Sequence, residues 1–353
     1  MRTGIAHLPL HYGKAPTWLF GRMKNLAREI VSAIVSEYGK DEFLFKISDP
    51  FWFQAFGCCL GFDWHSSGLT TTVLGALKEG LKGADKELGI FVAGGKGATS
   101  RKTPYEIEQV GQKRLVNIDP RLLIYASRMS AKVDNTALQD GYQLYHHSFI
   151  FTKDGKWAVV QQGMNPLYRL ARRYHWLSEN TSDFVCEPHK AVCCDKATST
   201  LNLVAKESSE CRATSAKLCL EKPEKIVQDF KSLRLDRHHA VSIDDIQPEN
   251  LKKILLKTYQ TQPKNFEQLL GIQGVGPKTI RALALISELI HGKAPSFRDP
   301  VRFSFAHGGK DGHPYPVNRE EYDRSIQILK SAINQARVGQ SEKSKAIKRL
   351  SNF

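Results

Sequence analysis

Apolar residues recur at alternating steps of four and three near the start of the chain, at Leu19, Met23, Leu26, Ile30 and Ala33. That period places them on one face of a helix and predicts an amphipathic segment over 18–38. A second helix is expected over 72–88, weakened by Gly75, Gly80 and Gly83. The next residues, GIFVAGGKG, read as a short apolar strand running into glycines, which gives an α/β order. GGKG resembles an anion-binding loop but lacks the full spacing of a P-loop, so a plain turn is the simpler expectation.

The clearest β signal is YHHSFIFTKDGKWAVVQQGM, where Asp154-Gly155 sits between two apolar runs. Taken as a two-residue turn, it sets Phe151 opposite Ala158, Phe149 opposite Val160 and His147 opposite Gln162. Ile150 then meets Val159, and Ser148 meets Gln161, on the other face. Both faces are apolar near the turn, so the hairpin is expected at the centre of a buried sheet. Its polar residues, His146, His147, Gln161 and Gln162, gather at the far end.

From about 190 to 222 the composition shifts to Ser, Thr, Lys, Cys and Ala without aromatics, which suggests a connection. Beyond it helices are expected over 249–258, 266–270, 277–290 and 320–336, the last with Tyr322, Ile326, Leu329, Ile333 and Ala336 on one stripe. The basic tail SEKSKAIKRLSNF is expected frayed, or helical only when docked. The reading is an α/β or α+β domain over 1–189, a linker or irregular connection over 190–222 and an all-α domain over 223–353.

Composition narrows the class. No run approaches the ~18 apolar residues of a membrane span, and the first residues lack a signal peptide's apolar stretch, so a cytoplasmic protein is expected. Lys and Arg total 51 against 36 acidic residues, a net +15 that suits a polyanionic partner as well as a solubilising surface. Between Lys257 and Phe353 there are 16 basic and 8 acidic residues, so about half the excess lies at the C-terminal end. Seven cysteines, with Cys58-Cys59 and Cys193-Cys194 adjacent, argue for reduced thiols rather than a disulfide framework. Cys186, His189, Cys193 and Cys194 offer zinc-ligand types at a spacing that fits no common zinc template.

The segment NFEQLLGIQGVGPKTIRALALISELI, over 265–290, carries the strongest motif. Two apolar helices flank Gly274-Val275-Gly276, and Pro277 takes the first helical position, where a missing N–H costs nothing. Val275 can tuck between the helices. The N–H groups opening the second helix then face outward at a favourable dipole end, with Lys278 and Thr279 beside them, as a phosphate site requires. The segment resembles the helix-hairpin-helix of DNA ligases, nucleases, polymerases and glycosylases, which implies non-sequence-specific contact with DNA phosphates. An ordinary αα-hairpin with a glycine turn is the alternative. PLYRLARRYHWLS adds Arg169, Arg172 and Arg173 interleaved with aromatics, a pattern that suits a strand groove or a basic helix face over a core.

FWFQAFGCCLGFDWHSSGLTT, ALQDGYQLYHHSFIFTKDGKWAVVQQGMN, RRYHWLS and RDPVRFSFAHGGKDGHPYPV together resemble a bacterial and archaeal family known only as a domain of unknown function. The resemblance runs nearly full length, implies a prokaryotic cytoplasmic setting and supplies no catalytic residues.

Titratable residues cluster before 190: Asp63, His65, Asp134, Asp140, His146 and His147, with Gln162 across the hairpin. Carboxylates and imidazoles from separate segments are the donors that hold Mg²⁺ or Mn²⁺ for phosphodiester hydrolysis. Asp63, His65, Asp140 and His147 are therefore the expected metal ligands, with Glu187 and His189 as a further pair. Satisfied core polar groups would have the same composition. The leading expectation is a metal-dependent nuclease. A helix-hairpin-helix glycosylase or lyase would use Lys278 and Asp299, which stand further apart here than in that family. A DNA-binding protein without enzymatic activity is the third reading.

Overall fold

The computed structural model describes residues 15–62, 67–194, 196–236, 239–301 and 319–351. The chain opens with helices α1 (Thr17–Tyr38), α2 (Lys40–Ile47), α3 (Pro50–Leu60), α4 (Ser67–Leu81) and the single turn α5 (Asp85–Leu88). Strand β1 (Ile90–Lys96) leads to α6 (Thr103–Gln112), α7 (Pro120–Lys132) and the short β2 (Leu138–Gln139). The strands β3 (Gln143–Thr152), β4 (Trp157–Asn165), β5 (Leu170–Leu177), β6 (Ala191–Cys193) and β7 (Leu201–Asn202) follow. The remaining helices are α8 (Ser209–Leu218), α9 (Pro223–Ser232), α10 (Pro248–Thr261), α11 (Phe266–Gly271), α12 (Pro277–Leu289), α13 (Arg319–Gln335) and α14 (Gln340–Ser351).

Local chemistry sets several of these boundaries. Asp49, Asp119 and Asn265 cap α3, α7 and α11 by accepting backbone N–H bonds, and Pro opens α3, α7 and α12. The apolar stripe of α1, from Met23 through Ile34, is fully buried, as its period requires.

Strand order in the main sheet is β1-β3-β4-β5-β6, all antiparallel, and β2 pairs with β7. The β3–β4 hairpin is central, as its two apolar faces imply. On one face Phe91, Phe149, Phe151, Val159, Tyr174 and Trp176 pack with residues from α7 to α12. On the other Ile90, Ile150, Ala158, Val160 and Leu177 pack with residues of α1–α4, α13 and α14. The sheet is therefore the middle of three layers.

Several expectations are corrected. The turn has three residues, Lys153-Asp154-Gly155, closed by Thr152 N–H to the Lys156 carbonyl at 2.9 Å. Gly155 takes φ +90, the left-handed residue such a loop needs. The pairing slips by one residue, so Phe151 meets Trp157, His147 meets Gln161 and His146 meets Gln162. β1 is antiparallel to β3, and its glycines continue the strand rather than form an anion loop. A Cβ on Gly94 would come within 2.2 Å of the His147 carbonyl oxygen, so only glycine fits there. The Gly94 N–H is taken by the Glu106 carboxylate at 2.7 Å, which also pairs with Lys78.

The 190–222 segment is no loose linker. It supplies β6 at the sheet edge, β7 and α8, and buries Leu201, Leu203, Cys211 and Leu218 in the same core as Phe149. Small residues pack closely, so loss of aromatics did not signal loss of core. The tail forms α14, docked on α3 and α13. None of the described helices is long and apolar enough to cross a membrane.

Candidate functional site

The 265–290 segment folds as α11, a tight turn and α12. Val275 is 1% exposed and inserts into the core with Leu269, Leu270, Ile280 and Leu283. Gly274 takes φ +98, which no branched side chain adopts without strain. Gly276, extended at φ −134, is the N-cap of α12. The turn is tied to the body of the protein by Lys132, which donates to the Val275 carbonyl, and by Gln139, which donates to the Pro277 carbonyl at 2.9 Å.

The start of α12 borders two clefts. One, of about 500 Å³, is lined by Gly274, Gly276, Lys278, Thr279 and the 245–254 segment. Lys278 is exposed, and its ammonium donates to the Asp245 carbonyl at 2.7 Å and lies 3.4 Å from its carboxylate, which also pairs with Arg281. Burial raises the Asp245 carboxyl, but the two cations outweigh it and bring its pKa below the ordinary value. Thr279 is buried and supplies packing rather than an open hydroxyl. The second cleft, about 610 Å³, shares Pro277 and Arg281 with the hairpin and is walled by Asp140, Tyr142, Asn165, Tyr168 and Thr198.

The polar end of the sheet separates into three networks. In the first, His147 Nδ1 contacts Gln161 Oε1 at 2.7 Å and its Nε2 contacts Ser127 Oγ at 2.9 Å. Gln161 also donates to Asp134, which accepts from Trp176 Nε1 at 2.9 Å and bonds His189 Nε2. Burial lowers the His147 pKa, against Gln161 and Asp134, which raise it.

In the second network Asp140 accepts from Arg172 at 2.9 Å and from Tyr174 at 2.6 Å, while Arg172 also binds Asp299 at 2.7 Å. Burial opposes the charge on Arg172, yet Asp140, Tyr174 and Asp299 raise its pKa well above the ordinary value. The third lies on the opposite sheet face. There His146 bonds Ser148 at 2.9 Å, and Gln162 bonds Thr70, Tyr145 and the Ser67 carbonyl at 2.8 Å. Burial lowers the His146 pKa to about 3.

The expected convergence is thus only partial. Asp134 joins His147, but Asp140 is committed to Arg172 and Tyr174, and His146 and Gln162 face away. Asp63 and His65 lie outside the described residues. Among the described residues no three His, Cys, Asp or Glu side chains are grouped to hold a metal ion. Cys194 bonds the Tyr142 hydroxyl at 3.1 Å, and burial pushes the Cys193 thiol up to about 12, so neither supports the zinc reading.

Arg172 and Arg173 are fully buried and do not form a surface for DNA; only Arg169, at φ +53 on the exposed β4–β5 turn, faces solvent. The alternation of β5 explains it: this segment is a strand with both faces covered, not a helix with a basic side. Lys278 and Asp299 line different clefts, and Asp299 is held by Arg172 and Thr198, which leaves the lyase pair apart. Two contributors to the hairpin mouth escaped the sequence reading. Arg281 stands one helical turn from Lys278 and was open to detection by that spacing; Asp245 comes from a distant loop and carried no local signal.

Fold and clefts together define a mixed α/β protein with a central antiparallel sheet, polar at one end, and a glycine hairpin set beside that end. The chain belongs to the family described as a protein of unknown function (DUF763), which matches residues 4–317. No curated protein and no solved structure matches it.

Proposed function

We propose that this protein binds nucleic acid non-sequence-specifically, gripping the phosphate backbone with the 265–290 hairpin in the manner of a helix-hairpin-helix. The observation that carries this is the exposed start of α12, where Lys278 and Arg281 already hold an anion, the Asp245 carboxylate. A helix N-terminus with adjacent cations is a phosphate site by its dipole and its free N–H groups. The net charge of +15 supports the same partner. Tyr168, exposed on the rim of the neighbouring cleft, offers a ring for stacking, and exposed Arg169, next to it in the chain, a further cation.

The test is fluorescence anisotropy with labelled duplex and single-stranded DNA of unrelated sequences across a salt series. Log affinity should fall linearly with log salt, by about 0.7 to 0.9 per phosphate neutralised, and equally for every sequence. Lys278→Ala should reduce that slope by about 1. A flat salt dependence, or a loss confined to one sequence, would reject the hairpin as a phosphate grip. Parallel incubations with Mg²⁺, Mn²⁺ or EDTA, resolved on a gel, separate a binding protein from a metal-dependent nuclease.

A further inference from the structure

A third cleft lies away from the hairpin. It has a volume of about 290 Å³ and is bounded by Glu187, His189, Asn202, Glu207 and Arg298. We propose that His189, positioned by Asp134, acts there as a general base toward the O–H of a small hydroxylated ligand or of water.

Asp134 sits in a π-helical turn, Val133–Ala137, and is fully buried. Turns of this kind interrupt a helix at some cost and concentrate at functional sites. One carboxylate oxygen, Oδ2, accepts from both Trp176 Nε1 and Gln161 Nε2, and Oδ1 meets His189 Nε2. An ionised carboxylate only accepts, so the imidazole proton must lie on Nε2. The lone pair is then on Nδ1. That nitrogen makes no hydrogen bond to the described residues, although the side chain is only 7% exposed and lines the cleft. Rotation of the ring is hindered by Trp176, edge-on at 4.6 Å, and by Tyr174 at 6.1 Å.

Such a pair is built to take up a proton. Transfer from a bound O–H breaks that bond, forms Nδ1–H and leaves the electron pair on oxygen. The resulting imidazolium faces a carboxylate that has no other cationic partner among the described ion pairs. A buried imidazolium without such a counter-ion would be costly.

The other groups bounding the cleft set the ligand class. Lys190 is engaged by the Phe45 carbonyl and Ser48, and the Asn202 amide by Val204 N–H and the Arg298 carbonyl. The Glu207 carboxylate can accept a hydrogen bond, and the Arg298 guanidinium, 3.9 Å from it, can donate one. A hydroxyl would therefore pair with Glu207 and with Nδ1, and an anionic group with Arg298.

The decisive variant follows from the donor pattern. In Asp134→Asn the amide oxygen must take the Oδ2 position, because two donors point at it. The amide NH₂ then faces His189 Nε2 and forces the proton to Nδ1, which removes the base without removing the ring.

Two measurements test this on the intact protein. Long-range ¹H–¹⁵N correlation near neutral pH should show wild-type His189 as the Nε2–H tautomer and Asp134→Asn as Nδ1–H. Diethyl pyrocarbonate, which acylates an accessible neutral imidazole nitrogen, should label His189 at least about tenfold faster than the buried His146, His147 and His175, and Asp134→Asn should abolish that advantage. A wild-type Nδ1–H tautomer would overturn the proposal, and so would labelling of His189 as slow as that of the three buried histidines. Both wild-type readouts decide even if the variant does not fold.

Discussion

Asp140 shows how a carboxylate that suggests a metal ligand can be structural. Asp140→Asn would leave Arg172, 0% exposed, with Asp299 as its only carboxylate partner among the described residues. Breaking a buried pair costs about 3–5 kcal/mol because the surviving charge keeps its desolvation penalty. With Asp299 in place a loss of about 2–3 kcal/mol in urea unfolding is expected; a change under about 0.5 kcal/mol would mean that the pair adds nothing.

The buried histidines give the protein an acid limit. Burial lowers the His146 pKa from 6.5 to about 3, and burial lowers those of His147 and His175. Below pH 6.5 the unfolded chain takes up protons that the folded chain refuses, so this stability is present above 6.5 and is lost as pH falls toward 3. Each such histidine contributes a slope of up to about 1.4 kcal/mol per pH unit. His146→Gln should flatten the decline of the urea midpoint between pH 6.5 and 4. An unchanged slope would show that His146 is protonated in the folded state. The sequence did reveal that polar groups collect at this end of the hairpin. Their partners were hidden by one residue of register, since a three-residue turn moves every side chain to the other face.

At the scale of the element, the hairpin separates two glycines with different tasks. A Cβ at Gly274 would fall 3.1 Å from Ile254 Cδ1 on a left-handed backbone, whereas nothing stands closer than 4.0 Å to a Cβ at Gly276. Gly274→Ala is therefore expected to destabilise the protein by about 1 kcal/mol or more. Gly276→Val should cost about 1 kcal/mol or less as a poorer cap, yet weaken DNA affinity by obstructing the approach of a phosphate. Equal loss of stability and binding in both variants would mean that the turn is only structural.

Asp245→Asn should have the opposite effect, raising affinity and steepening the salt slope by about 1, because Lys278 and Arg281 lose their internal anion; anisotropy at three salt concentrations suffices to check it. This hairpin was open to sequence reading because its signals are local: a pin residue between glycines and a proline at the helix start. The antiparallel placement of β1 was not, since strand direction depends on the distant β3.

For the molecule as a whole, chain order is a poor guide to packing. A sequence split between a 1–189 domain and a 223–353 domain follows the change from strands to helices, but both apolar clusters cross that boundary. One joins Phe149 and Trp176 of the sheet to Leu269, Val275 and Leu283 of the hairpin region. The other joins Met23, Ile30 and Trp52 to Ile328, Leu329 and Ile333 of α13. The 223–353 segment therefore draws on partners in two different layers, which composition along the chain cannot reveal. Each buried Leu or Ile loses roughly 1.5–3 kcal/mol of burial when its partners are removed. The isolated 223–353 fragment is accordingly expected to show weak helical circular dichroism and no cooperative melt, while the full chain melts in one transition with matching calorimetric and van't Hoff enthalpies. Cooperative unfolding of the fragment by itself, or two resolved transitions in the full chain, would restore the two-domain division.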